Sequence, residues 1–86
     1  MAKLDRLLNL TAALLETRVP MTAEEIRTRV PGYSADSDEA FHRAFERDKD
    51  DLRQMGIPLR LLPVEVEGTM TEGYRIPPEQ YALRDA

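Results

Sequence analysis

The side chains best suited to chemistry lie in one short stretch, His42-Arg43-Ala44-Phe45-Glu46-Arg47-Asp48-Lys49, with Arg53 one turn further on. The chemistry they suggest is anion recognition. A guanidinium fork engages two acceptors at once, which suits guanine O6/N7 or a phosphate, and an ammonium suits phosphate as a point charge. Bond-breaking fits poorly. The chain has no cysteine and a single histidine, His42, so it offers neither a thiolate nucleophile nor metal-ligand spacing. His42 reads as an ordinary exposed histidine. Carboxylates abound, but the neighbours Glu24-Glu25 and Asp50-Asp51 diverge by about 100° on a helix and cannot converge on a substrate. No Gly-rich phosphate loop and no Ser-His-acid set is present. The expectation is a protein that is not an enzyme and needs no metal or cofactor.

Eighty-six residues, 42% hydrophobic and 33% charged, suit one small folded domain with a single core. Twelve basic against sixteen acidic side chains leave a net charge of −4, which argues mildly against nucleic acid unless positive charge is concentrated locally. No block of the chain is a basic tail. The apolar runs are too short to cross a bilayer and the charged Lys3-Leu4-Asp5-Arg6 start is not a signal peptide, so no membrane partner and a cytoplasmic location are expected.

The elements that must hold the basic stretch can be read from periodicity. Leu4, Leu7, Leu8, Thr11, Leu14 and Leu15 form a helical stripe over about Lys3 to Thr17, stopped by Pro20, with Met21 as a short extended link. Thr22-Ala23-Glu24-Glu25 is a capping box opening a second helix with Ile26 and Val30 inward, ending before Pro31. After a loop over residues 31–37, Asp36 or Ser37 caps a third helix, and the Asp36-to-Glu39 spacing resembles a second capping box. That helix runs to Met55 and closes at Gly56. Alternation then marks a strand through Ile57, Leu59 and Leu61 to Glu67, kinked at Pro63; residues 68–73 read as a turn and Tyr74-Arg75-Ile76 as the returning strand. Residues 79–83 make a short terminal turn in which Tyr81 and Leu83 need cover.

On the third helix, with Phe41 at zero and about 100° per residue, Phe45, Asp48, Leu52 and Met55 fall within about 40° of Phe41 and define the buried side. Arg43 and Arg47 lie near the opposite side, at roughly 200–240°, and His42, Lys49 and Arg53 at roughly 80–120°. Asp48, inside the apolar stripe, needs a hydrogen-bonded or cationic partner and reads as architectural. Tyr33 and Tyr74 read as packing residues.

Three helices followed by a β-hairpin is the element order of a winged helix-turn-helix domain, an α+β fold. The residues sharpen this. Arg43-Ala44-Phe45-Glu46-Arg47-Asp48 with Leu52 and Gly56-Ile57-Pro58-Leu59 resembles the recognition-helix signature of bacterial DeoR-type regulators. Together with Leu7-Leu8-Asn9-Leu10, Thr22-Ala23-Glu24-Glu25-Ile26, Gly32-Tyr33 and Gly73-Tyr74-Arg75-Ile76, the chain is similar to the N-terminal module of WYL-domain transcription regulators, of the proteasome accessory factor B/C type. The resemblance spans essentially all of the sequence. It implies a DNA-binding winged helix over residues 1–83, with 84–86 beginning a linker or tail, and a WYL effector domain absent from this chain. Ala44 departs from the usual Thr, and Glu46, Asp50 and Asp51 place negative charge where basic residues would help.

On this reading double-stranded DNA is the partner, with a second copy or a paralogous regulator as pairing partner. A helix of about residues 37–55 enters the major groove by its N-terminal half; His42, Arg43, Glu46 and Arg47 are candidates for base contact, and Lys49 and Arg53 for phosphate. Arg60 and Arg75 either touch DNA from the wing or are ordinary strand-surface residues. Likewise, Arg43 and Arg47 either face DNA or pair with Glu39, Asp50 or Asp51 on a solvated surface. The alternative function is a winged-helix protein-interaction or dimerisation module without DNA binding.

Overall fold

In the computed structural model, residues 3–33 and 37–83 are described, with backbone only for residues 82 and 83. The fold is α+β, with helices α1 (Lys3–Glu16), α2 (Ala23–Arg29), α3 (Asp38–Gln54) and α4 (Pro78–Leu83), and strands β1 (Met21–Thr22), β2 (Arg60–Val66) and β3 (Thr69–Arg75). The strands form an antiparallel sheet in the order β1-β3-β2.

The helix boundaries follow from local chemistry. Thr22 Oγ1 accepts from the Glu25 amide at 3.2 Å while Glu25 Oε1 accepts from the Thr22 amide at 3.2 Å, the reciprocal box the sequence predicts. Ser37 Oγ accepts from the Ala40 amide at 3.2 Å and caps α3. The Asp36 alternative lies outside the described residues. At the other end of α3, Gly56 takes a positive φ of 82°; its amide donates to Arg53 and the Ile57 amide to Leu52. This is a Schellman stop, which the glycine permits and which lays Ile57 over Leu52.

Two expectations are corrected, and the extended link at Met21 turns out to be paired. The segment read as a turn over 68–73 is mostly strand, because the reversal needs only Glu67 (φ 50°) and Gly68 (φ 81°), a two-residue turn with both positions left-handed, as a type I′ hairpin turn requires. The link at Met21 is itself a strand, with Met21 opposite Tyr74 and Thr22 opposite Gly73, so the hairpin is part of a three-stranded sheet. Residues 78–83 are a fourth helix, not a turn. Pairing runs unbroken through Pro63, which lies on the edge strand β2 opposite Glu72.

Leu7, Leu10 and Leu14 of α1, Ile26 and Val30 from the α2 region, Phe41, Phe45 and Leu52 of α3, and Met21, Tyr74 and Ile76 around the sheet close on Tyr33 to form one core. Four aromatic rings lie at its centre: Phe45 is 5.4 Å from Phe41, 6.2 Å from Tyr33 and 5.1 Å from Tyr74 between ring centres. Leu4, Leu8 and Met55, grouped with the apolar stripes in the sequence, are exposed, because the core draws on Leu10 instead and α3 ends at Met55. Among the described residues no helix is long and apolar enough to cross a membrane.

Candidate nucleic-acid interface

The buried side of α3 carries a carboxylate. Asp48 is fully buried and accepts from Arg6 Nε at 2.6 Å, Arg6 Nη2 at 2.9 Å and Tyr33 Oη at 2.5 Å. Three charge-assisted bonds satisfy a group that would otherwise be costly to bury. The carboxylate bond raises the Arg6 pKa further, so that guanidinium stays charged. Burial, followed by the bond to Asp48, pushes the Tyr33 phenol up, so it stays neutral and remains a donor. The need for a partner was legible in the sequence; that Arg6, 42 residues away, supplies it was not.

The other acids of α3 are also paired. Lys3 Nζ reaches Asp51 Oδ2 at 2.7 Å, covering an oxygen with no other partner among the described residues. Arg53 lies 3.6 Å from Asp50, Lys49 Nζ is 2.7 Å from Glu46, and Arg27 pairs with Asp38. The hydrogen bond from Arg27 holds the Asp38 carboxyl below its usual range. Of the six acidic residues on the helix, only Glu39 makes no ion pair among the described residues. The partners come from α1, α2 and α3 itself.

Arg43 and Arg47 are exposed, one turn apart, and make no hydrogen bond or ion pair among the described residues. None of the pairings the sequence left open for them, with Glu39, Asp50 or Asp51, is formed. His42 is exposed beside them, its ring centre 5.4 Å from that of Phe41, and Glu46 is exposed while held to Lys49.

The remaining predicted site residues are elsewhere. Lys49, expected to reach a phosphate, is 6% exposed: its ammonium sits 4.6 Å from the Phe45 ring centre and 4.7 Å from that of Tyr74, and donates to Tyr74 Oη at 3.2 Å. The helical wheel missed this because β3 packs beside α3 and widens its covered sector. Arg60 and Arg75 face one another at the base of the hairpin, the far end of the ladder from the Val66–Thr69 tip. Arg60 Nε donates to Gln80 at 3.0 Å and Arg75 Nε to the Thr17 carbonyl at 3.1 Å. A shallow cleft of about 360 Å³ separates the front of α3 from the sheet, lined by Glu24, His42, Glu46 and Glu72 among others. Among the described residues no His, Asp and Glu cluster of three or more is placed to hold a metal.

No family model matches the chain. Protein PafB of Mycobacterium tuberculosis (strain H37Rv) and of Mycobacterium bovis are each 54% identical to it over 83 residues, 95% of this chain and 25% of theirs. PafB of Mycobacterium leprae is 53% identical over the same span. The name agrees with the proteasome accessory factor B/C resemblance drawn from the motifs along the whole chain. The chain is thus similar to PafB proteins across nearly all of its own length, and spans about a quarter of theirs.

Proposed function

We propose that the chain is a non-catalytic winged helix-turn-helix module that binds double-stranded DNA for a bacterial transcription regulator of the proteasome accessory factor B type. In this reading α3 enters the major groove by its N-terminal half and the β2–β3 hairpin lies near the phosphate backbone. The carrying observation is the pair Arg43 and Arg47, exposed and unpaired among the described residues on a helix whose acids are nearly all neutralised by other cations. A chain of net charge −4 thereby presents a local positive face. Arg43, nearer the helix N-terminus, is assigned to base reading, Arg47 to a base or adjacent phosphate, and Arg53 to phosphate. Arg60, Arg75 and Lys49 act within the fold.

The test is a titration of labelled duplex DNA at several salt concentrations with the wild type and two alanine variants. Each phosphate-neutralising cation contributes about −0.9 to the slope of log K against log salt, so Arg53→Ala should lower affinity evenly across sequences and flatten the slope by roughly one. Arg43→Ala should lose about 1–3 kcal/mol of discrimination at one base pair. A second reading is favoured by exposed Leu61, Leu62, Val66 and Met70 on the hairpin, which suit a protein partner. No binding at low salt, together with a concentration-dependent dimer, would replace the first reading with the second.

A further inference from the structure

Glu46 lies three residues after Arg43 and directly before Arg47, on the same exposed front of α3. At i,i+3 spacing a glutamate and an arginine reach one another readily on a helix. They do not do so here. The Glu46 carboxylate is turned to Lys49 Nζ at 2.7 Å, and that ammonium is itself immobilised, stacked on the Phe45 and Tyr74 rings and donating to Tyr74 Oη. A buried, aromatic-clamped cation is a fixed point, unlike a surface lysine.

We infer that Lys49 is a positioning residue: it draws Glu46 toward the sheet and so keeps the Arg43 guanidinium free for DNA. The inference rests on the DNA-binding reading. Lys49 touches no nucleotide in this scheme; its effect passes through Glu46. Without the ammonium, Glu46 turns to Arg43, the cation at i,i+3 spacing on its other side, and the positive face loses one of its two free charges. The pair also explains how a glutamate can occupy the DNA-facing turn of α3.

The experiment is a double-mutant cycle on duplex binding, using a fluorescein-labelled mixed-sequence duplex at low and moderate salt. Lys49→Met keeps the apolar stem against Phe45 and Tyr74 while removing the charge, and circular dichroism checks that each variant is folded. Lys49→Met should weaken binding about fivefold and flatten the salt slope by roughly one, the loss of one cation. Glu46→Gln should tighten binding far more in the Lys49→Met background than in the wild type, returning the slope to its original value. Equal effects in both backgrounds would overturn the inference, because a packing role, or a direct phosphate contact by Lys49, leaves a loss that Glu46→Gln cannot selectively repair. Should Lys49→Met fail to fold, Lys49→Gln takes its place in the same cycle. The Arg43 Nε–Hε resonance, followed by NMR without DNA, gives a second readout. It should shift in Lys49→Met and return in the double variant, and an unchanged resonance would overturn the inference. If the wild type binds no duplex, the DNA-binding reading falls, while the resonance alone still decides whether Lys49 controls Arg43.

Discussion

Replacing Asp48 with alanine strips the core of a buried anionic centre and leaves three donor groups, two on Arg6 and one on Tyr33, stranded. In the native fold Asp48 accepts from Nε and Nη2 of Arg6 and from the hydroxyl of Tyr33, and it is itself fully buried. Removing one member of a buried ion pair costs about 3–5 kcal/mol, most of it the penalty of an uncompensated charge. Arg6 is only 17% exposed at its side chain and cannot fully recover water. A chain of 86 residues at roughly 0.05–0.15 kcal/mol per residue has about 4–13 kcal/mol in total, so Asp48→Ala should remove about a quarter of the stability or more. Urea unfolding followed by circular dichroism reads this directly. With an m-value of about 1–3 kcal/mol/M, the midpoint should fall by about 2 M at constant slope. The triple variant Arg6→Met/Tyr33→Phe/Asp48→Leu replaces every polar member together, strands nothing, and should lie closer to the wild type than Asp48→Ala does. A single-variant cost under about 1 kcal/mol, or a triple variant no better than the single, would refute the account of α3 as anchored through this carboxylate.

Two further outcomes concern the frame around the site. Because the folded state holds the Tyr33 phenol above its ordinary pKa, the stability it contributes is complete below about pH 10 and is lost as pH rises beyond it, by about 1.4 kcal/mol per pH unit; chemical denaturation between pH 9 and 12, compared with Tyr33→Phe, should show the steeper alkaline loss in the wild type. Gly73 is fixed by contact, since a Cβ there would lie 2.6 Å from the Pro20 Cβ; Gly73→Ala should cost about 1–3 kcal/mol by thermal unfolding and loosen the β1–β3 pairing in amide exchange.

What the sequence disclosed was whatever is local. The capping box at Thr22, the stop at Gly56 and the aromatic side of α3 depend on neighbours within one or two turns, so spacing alone reveals them. What it concealed depends on long-range packing. Gly73 looked like a turn glycine because nothing local shows that Pro20, just before β1, packs against it. Lys49 sat on the apparent outer arc of a helix considered by itself, and only the arrival of Tyr74 converts that arc to interior. The acids at Glu46, Asp50 and Asp51 counted against DNA in a linear reading, whereas folding assigns a counter-ion to each.

The end of α1 leaves carbonyls without an intrahelical donor, and partners far along the chain take one in its last turn and one just beyond it: Leu14 by the Ile76 amide at 3.0 Å and Thr17 by Arg75 Nε at 3.1 Å. The base of the hairpin is therefore riveted to the first helix as well as laddered to β1. A displacement of α1 would therefore pull on the hairpin base directly, through bonds that bypass α3.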